Sequence, residues 1–330
     1  MEECQGFFHA VEKKVPSCLD AFQASGALQG FFGNLLEAVY NTGYFITHPG
    51  EFLGWLGELG KLSSTEAKTS LMKFIYYGGS IELFYAFFTA FLILTAVGLW
   101  RNNIMWGCVR LFEGIANYVG RFFAWAGLLM VLQQIIIVFM QRIFVASELS
   151  FGFGRSVTFD VSWWAEELKF YNAMVVCMCC AYTFVQGGHV RVDLVYSAVS
   201  FRTKRIIDMF GSLIFMIPAA ILTWMYAWYF LWRHLVVPKP SASDAIERLI
   251  TKARALRWNV ETIGFSPNGF NAYFLFKFLL IFFTAMVLLQ AVAFLYRSYL
   301  EFKEGEESEG KYLDKDKLGD ADAELTAEIH

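Results

Sequence analysis

The chain has 330 residues, 57% hydrophobic, 18% aromatic and only 17% charged, with a mean hydropathy of +0.44; such a balance is too apolar for a soluble surface and points to a membrane protein. A formal charge of −3 and a pI near 6.0 supply no basic field for nucleic acid. Six prolines and the lack of a Cys/His ligand array argue against disordered scaffolds and zinc modules.

The chain opens on the acidic residues Glu2 and Glu3, with no basic n-region before a short apolar run, so no removable signal peptide is expected. Residues 28–47 are apolar and aromatic but contain Asn34, Glu37 and Asn41, and residues 50–60 repeat the mixture with Glu51 and Glu58. Residues 1–73 therefore read as an N-terminal extension of interfacial amphipathic helices, with a sixth span or a re-entrant hairpin as the alternative.

A hydrocarbon core of about 30 Å takes roughly 20 helical residues to cross. Five charge-free stretches meet that length: residues 83–100, 122–141, 170–188, 209–232 and 278–296. Lys, Arg, Trp and Tyr flank them at headgroup level. The fold class is thus all-α, a polytopic α-helical membrane protein with five transmembrane helices and interfacial amphipathic helices. Residues 74–100 carry an extra first span, residues 101–300 hold four more with a long outer loop at 234–271, and residues 301–330 form an acidic cytoplasmic tail with eleven Asp/Glu against four Lys/Arg. Within the long loop, residues 243–256 are amphipathic and predict a surface helix.

Orientation follows the Lys/Arg bias. Arg101, Arg110, Arg191, Arg202, Lys204 and Arg205 follow the first and third spans, whereas the loop between the second and third holds only Arg155, which puts the former loops in the cytoplasm. Five basic residues in the loop at 234–271 pull the other way.

Site chemistry is sparse. Axial haem ligation needs two histidines at similar depth, yet His189 and His234 end consecutive, oppositely directed spans. Cys177, Cys179 and Cys180 lie mid-span as packing residues, without the second pair that zinc would need. Cys4 and Cys18 can pair if the N-terminus is outside, which spacing alone leaves open. The span cores hold no Asp, Glu, Lys, Arg or His; their amides, Gln133, Gln134, Asn172 and Gln290, suit hydrogen bonds to neighbouring helices. No catalytic, metal or cofactor site is expected, and no solute pathway. Charge concentrates instead at residues 163–169 and 187–193, the two ends of the third span, read either as solvated helix ends or as a docking rim for other membrane subunits.

At these residues the sequence resembles the small membrane subunit of tripartite ATP-independent periplasmic (TRAP) transporters, the DctQ-like family. The family's Trp-x-Glu-Glu-Leu start of a helix is matched by Trp164, Glu166, Glu167 and Leu168. Its Gly-x-His-Ile/Val-Arg-Val-Asp end, about twenty residues on, is matched by Gly187, His189, Val190, Arg191, Val192 and Asp193, with Gly188 between. Arg202, Arg205 and Asp208 match the basic pair and Asp that lead into the next helix.

The resemblance covers residues 110–297 and implies a non-enzymatic scaffold subunit in a bacterial inner membrane. Its implied partners are the large membrane subunit, which holds the sodium and substrate sites, and a periplasmic substrate-binding protein that delivers an organic anion, with lipid around it and no nucleic acid. Trp164, Glu166, Glu167, Gly188, His189, Arg191 and Asp193 become the expected subunit-interface residues. The first hundred residues and the long outer loop depart from the family's four-helix pattern. A cofactor-free anchor of a respiratory or other membrane complex is the alternative from another class; a self-contained channel or carrier is weakened by the charge-free spans.

Overall fold

The computed structural model describes residues 6–8, 17–59, 62–152, 157–187, 199–237, 255–256, 270 and 272–314. Those residues are nearly all helix, and among them five helices are long and apolar enough to cross a membrane: Ile81–Trp100, Asn102–Arg142, Val161–Gln186, Phe201–Arg233 and Phe274–Glu304. Each covers all or nearly all of one charge-free stretch. Most run past those stretches, because polar residues at the ends still have helical hydrogen-bond partners and other helices to pack on. The chain divides into two compact units, Met1–Trp100 with Trp232–Arg257, and Arg101–Leu231 with Trp258–His330.

In the first unit, α1 (Cys18–Ala24) starts at a capping box: the Asp20 N–H donates to the Ser17 hydroxyl at 3.0 Å and the Ser17 N–H donates to the Asp20 carboxylate at 3.2 Å. Cys18 is disulfide-bonded, and the residue that bridges it lies outside the described residues. Helix α2 (Ala27–Thr47) packs on α1 and on α5 (Ile81–Trp100), where Phe31 meets Tyr85 and Phe88 edge-on. Along α2, Tyr40, Tyr44 and His48 stack at successive turns, because residues four apart share a face. The short α3 (Gly50–Leu53) and a 3-10 turn (Gly54–Glu58) lead to α4 (Thr65–Gly78), capped by the Ser64 hydroxyl, which accepts from the Ala67 N–H. Trp55 is buried between Phe74 and Trp232, with ring centroids 5.5 and 5.8 Å away. Val236–Val237 and Ala255–Leu256 form a two-residue antiparallel ladder. Most of the amphipathic helix expected at 243–256 lies outside the described residues.

The second unit is built on α6 (Asn102–Arg142), whose 41 residues span about 61 Å at 1.5 Å per residue, twice the hydrocarbon thickness. A hairpin of β1 (Glu148–Phe151) and β2 (Val157–Asp160) turns the chain into α7 (Val161–Gln186), which returns antiparallel along α6. Small residues set that contact. A Cβ on Gly120 would overlap the Tyr182 Cβ, so only glycine lets the two backbones come this close.

The fourth span is α8 (Phe201–Gly211), a π turn (Ser212–Met216) and α9 (Ile217–Leu235). The Ile217 N–H reaches back five residues to the Ser212 carbonyl just before Pro218, which has no N–H to donate. The widened turn makes room for the proline ring without ending the helix. Helix α10 (Phe274–Glu304) packs on α6, α7 and α8 and buries Ala291, Ala293, Tyr296 and Leu300. It runs past the boundary expected at 301, and a 3-10 turn (Glu306–Ser308) then sends residues 309–314 back over the helix ends.

Candidate subunit-contact site

The third span starts where Asp160, the N-cap of α7, accepts from the Ser162 N–H at 2.8 Å. That cap aims Trp163 and Trp164 at neighbouring elements. Trp163 stacks on Phe159 of β2, with centroids 4.2 Å apart and planes 7° from parallel, and meets Phe270 at 5.2 Å. One turn on, the Glu166 carboxylate accepts the Phe270 N–H at 2.8 Å. Glu167 accepts from Gln133 of α6 at 3.1 Å, and the same amide donates to the Trp164 carbonyl at 3.1 Å. Burial and then the Glu166 charge hold the Tyr273 hydroxyl above the ordinary tyrosine range. Ile137, Leu149 and Val161 close an apolar cluster beneath the rim, with Trp164 and Leu168 against it. The two carboxylates thus tie α7 to α6 and to the start of α10.

At the other end, Gly187 takes a left-handed conformation (φ 75°) that closes α7, with its N–H on the Phe184 and Thr183 carbonyls. Gln186 donates to the Asn117 side chain at 3.3 Å and to the Asp314 carbonyl at 3.0 Å. Beside it lies a chain of ions in which Glu113, Arg205, Arg297 and Glu301 are buried and Glu309 is exposed. Arg297 of α10 makes a two-pronged pair with Glu113 of α6 at 2.7 and 2.6 Å, and a longer contact with Glu301 at 3.4 Å. Arg205 of α8 sits 2.8 Å from Glu301, 2.7 Å from Glu309 and 3.4 Å from Asp208. Removed from water, such charges persist only when each has a counter-ion.

Of the expected interface residues, Trp164, Glu166 and Glu167 come together in the rim at the start of α7 with Gln133. Gly188, His189, Arg191 and Asp193 lie outside the described residues. The remaining amides separate: Gln134 and Asn172 are exposed on α6 and α7, whereas Gln290 is buried in α10 with its Oε1 unpartnered among the described residues. Among those residues, no group of three or more His, Cys, Asp or Glu is placed to hold a metal ion. The sequence reading missed Asp160, Phe270, Glu113 and Arg297 at these ends. Asp160 carried a readable signal, an N-cap residue just before an apolar run. Phe270 and the Glu113–Arg297 pair are brought together only by tertiary packing.

Five membrane-length helices, those of the second unit held at their ends by intramolecular polar ties, define a polytopic membrane protein whose polar residues position helices. Residues 150–243 match the family described as Tripartite ATP-independent periplasmic transporters, DctQ component, so over that segment the chain is DctQ-like, in the likeness of a TRAP small membrane component. The matched residues include the rim at Trp164, Glu166 and Glu167, and Arg205 and Asp208 of the ion network at the other end. Comparison with curated proteins and with solved structures found no match for the chain.

Proposed function

We propose that the chain is the non-catalytic small subunit of a TRAP transporter in a bacterial inner membrane. It supports a large membrane subunit in sodium-driven uptake of an organic anion delivered by a periplasmic binding protein. The observation that carries this reading is the DctQ match over residues 150–243. The charge-free span cores support it: a carrier of ionic solutes keeps ionisable groups or broken helices along its pathway, and this chain spends its charges on fixing helix ends. In this reading the rim around Trp164, Glu166 and Glu167 faces the partner as a preformed unit. Gly188, His189, Arg191 and Asp193 contribute at the opposite end.

The same reading sets the topology. Five spans with residues 191–205 in the cytoplasm leave the N-terminal extension and the loop at 234–271 outside. The disulfide at Cys18 supports that side, because disulfides persist in the periplasm and not in the cytosol. In intact spheroplasts, Lys13 and Lys14 then react with a membrane-impermeant amine reagent; labelling only after permeabilisation would reverse the topology.

The functional test is uptake into proteoliposomes. The subunit alone transports nothing under a sodium gradient, and activity appears when the large subunit and the binding protein are added. Sodium-dependent uptake by the isolated subunit would overturn the scaffold reading.

A further inference from the structure

Helix α2 presents three faces, roughly a third of a turn apart at 3.6 residues per turn. On the first, α1 folds back along it: the Gln23 side chain donates to the Glu37 carboxylate at 2.9 Å and lies against Gly33, where an added Cβ would come within 2.4 Å of the Gln23 Cγ. On the second, Phe31 meets Tyr85 and Phe88 of α5, and Ala38 is buried. The third is a stripe at intervals of three or four residues: Leu28, Phe32, Leu36, Val39, Gly43 and Ile46. Its five apolar side chains are 52–72% exposed, and among the described residues nothing lies within 4 Å of a Cβ placed on Gly43. Glu37 is the one charged residue of α2, which has no Lys or Arg. The far end of the helix is tied down where the Tyr44 hydroxyl donates to Glu51, itself paired with Lys73 of α4.

We propose that α2 lies along the membrane surface beside the start of the first span, its stripe inserted among the acyl chains of one leaflet, and that lipid packing rather than lipid charge governs the insertion. Tyr85 and Phe88, the neighbours of Phe31, are two and five residues past Leu83, where the charge-free run of α5 begins, which is about 3–8 Å of helix. An interfacial helix seats its apolar face about 5–10 Å into the boundary between headgroups and acyl chains, so the two depths agree. A crossing helix would instead hold Glu37, the central residue of Ala27–Thr47, at mid-membrane, where a carboxylate is costly. Helices of this kind bind through apolar area and through cationic side chains. Helix α2 offers the first alone, so anionic headgroups add no attraction, and Phe32 and Leu36 enter where the chains leave gaps. The topology proposed above makes the leaflet the periplasmic one; the depth of the stripe does not rest on it.

The test is electron paramagnetic resonance of the full chain in liposomes of unsaturated phosphatidylcholine. A spin label is placed on a genetically encoded ketone residue at Leu28, Phe32, Leu36 or Ile46, which leaves the cysteines untouched. Relative accessibility to oxygen and to a water-soluble nickel chelate gives the depth of each label. All four should share one depth, about 5–10 Å below the headgroup boundary. Replacing part of the phosphatidylcholine by phosphatidylglycerol should leave that depth unchanged, whereas saturated acyl chains should move all four labels toward water. A depth that grows steadily toward Leu28 would mean a re-entrant hairpin, and one that peaks at Leu36 a crossing helix; either overturns the proposal. So would nickel accessibility at all four positions, a deeper seat in the anionic lipid, or no response to saturation. No partner subunit enters the measurement, so its outcome and that of the transporter reading are separate. Should one labelled variant not fold, the other three still define the slope.

Discussion

Arg297 and Glu113 stand 184 residues apart in sequence and meet through two parallel hydrogen bonds, Nε to Oε1 at 2.7 Å and Nη2 to Oε2 at 2.6 Å. The pair is closed off from solvent, with 7% and 5% of the two residues exposed. Arg297 also donates to the Lys311 carbonyl at 3.0 Å and lies over the Trp106 ring. One guanidinium therefore joins α6, α10 and the segment after α10.

Breaking that pair from one side leaves a buried charge without its counter-ion, which costs about 3–5 kcal/mol. Glu113→Ala or Arg297→Ala should accordingly lower the melting temperature in detergent sharply. The double variant Glu113→Leu, Arg297→Met should recover most of the loss, because apolar residues of similar volume remove both charges together. A double variant no more stable than either single one would show that the pair does more than hold the helices.

Gly120 and Gly127 offer a matched comparison on one face of α6. An added Cβ overlaps the Tyr182 Cβ at the first site, but meets only the Val175 side chain at 3.9 Å at the second. Gly120→Ala should destabilise by about 1–3 kcal/mol through overpacking. Gly127→Ala should be neutral or stabilising by up to about 1 kcal/mol, since alanine is the better helix former. Thermal melting of the two variants side by side checks the difference.

At the rim where α7 starts, Glu166 holds a backbone amide from a distant part of the chain. Glu166→Ala should speed hydrogen exchange at the Phe270 N–H by about tenfold, the value of one charged hydrogen bond. Because the rim is a single unit, Glu166→Ala and Glu167→Ala should also reduce recovery of a large membrane subunit on co-purification. Faster exchange with undiminished recovery would place the partner elsewhere.

Glu58 gives a pH prediction on the other unit. Hydrogen bonds from the Ser64 hydroxyl and amide, and then from Ser63, hold its carboxyl down at about 2 from an ordinary 4.5. The folded value lies below the unfolded one, so its contribution is complete above the unfolded value and fades as pH falls toward the folded one. Exchange protection at the Ser63 and Ser64 amides should survive acidification to pH 4 and disappear near about pH 2. In Glu58→Gln the pH dependence should vanish.

The spans were legible because hydrocarbon imposes one rule, a charge-free run of fixed length, and each run can be read locally. Helix ends were less so. Glu301 and Glu304 read as tail and Glu113 was not singled out, yet all three lie in helices and Glu113 and Glu301 are buried; only a countercharge from a distant helix permits that. Trp164, Glu166 and Glu167 stood out as an unusual density of charge and aromatic rings. Gln133 reads as a mid-span amide suited to bond a neighbouring helix, without a sign of which residue it would meet; Phe270 did not stand out, since an aromatic residue at its position signals no long-range contact. The hairpin of β1 and β2 also escaped notice, because four-residue strands carry too little alternation to register.

The order in which these pieces leave the ribosome matters. Glu113 enters the membrane with the second span, and Arg205 comes near the fourth, but Arg297, Glu301, Glu309 and the Asp314 carbonyl that receives Gln186 arrive only with the fifth span and the short segment after it. Until then the earlier helices can insert but cannot be locked, and their carboxylate and guanidinium must stay hydrated. The last stretch of synthesis acts as a keystone, so a nascent chain halted before residue 297 exposes unneutralised charge at the helix ends, the kind of surface on which membrane proteases recognise unfinished proteins.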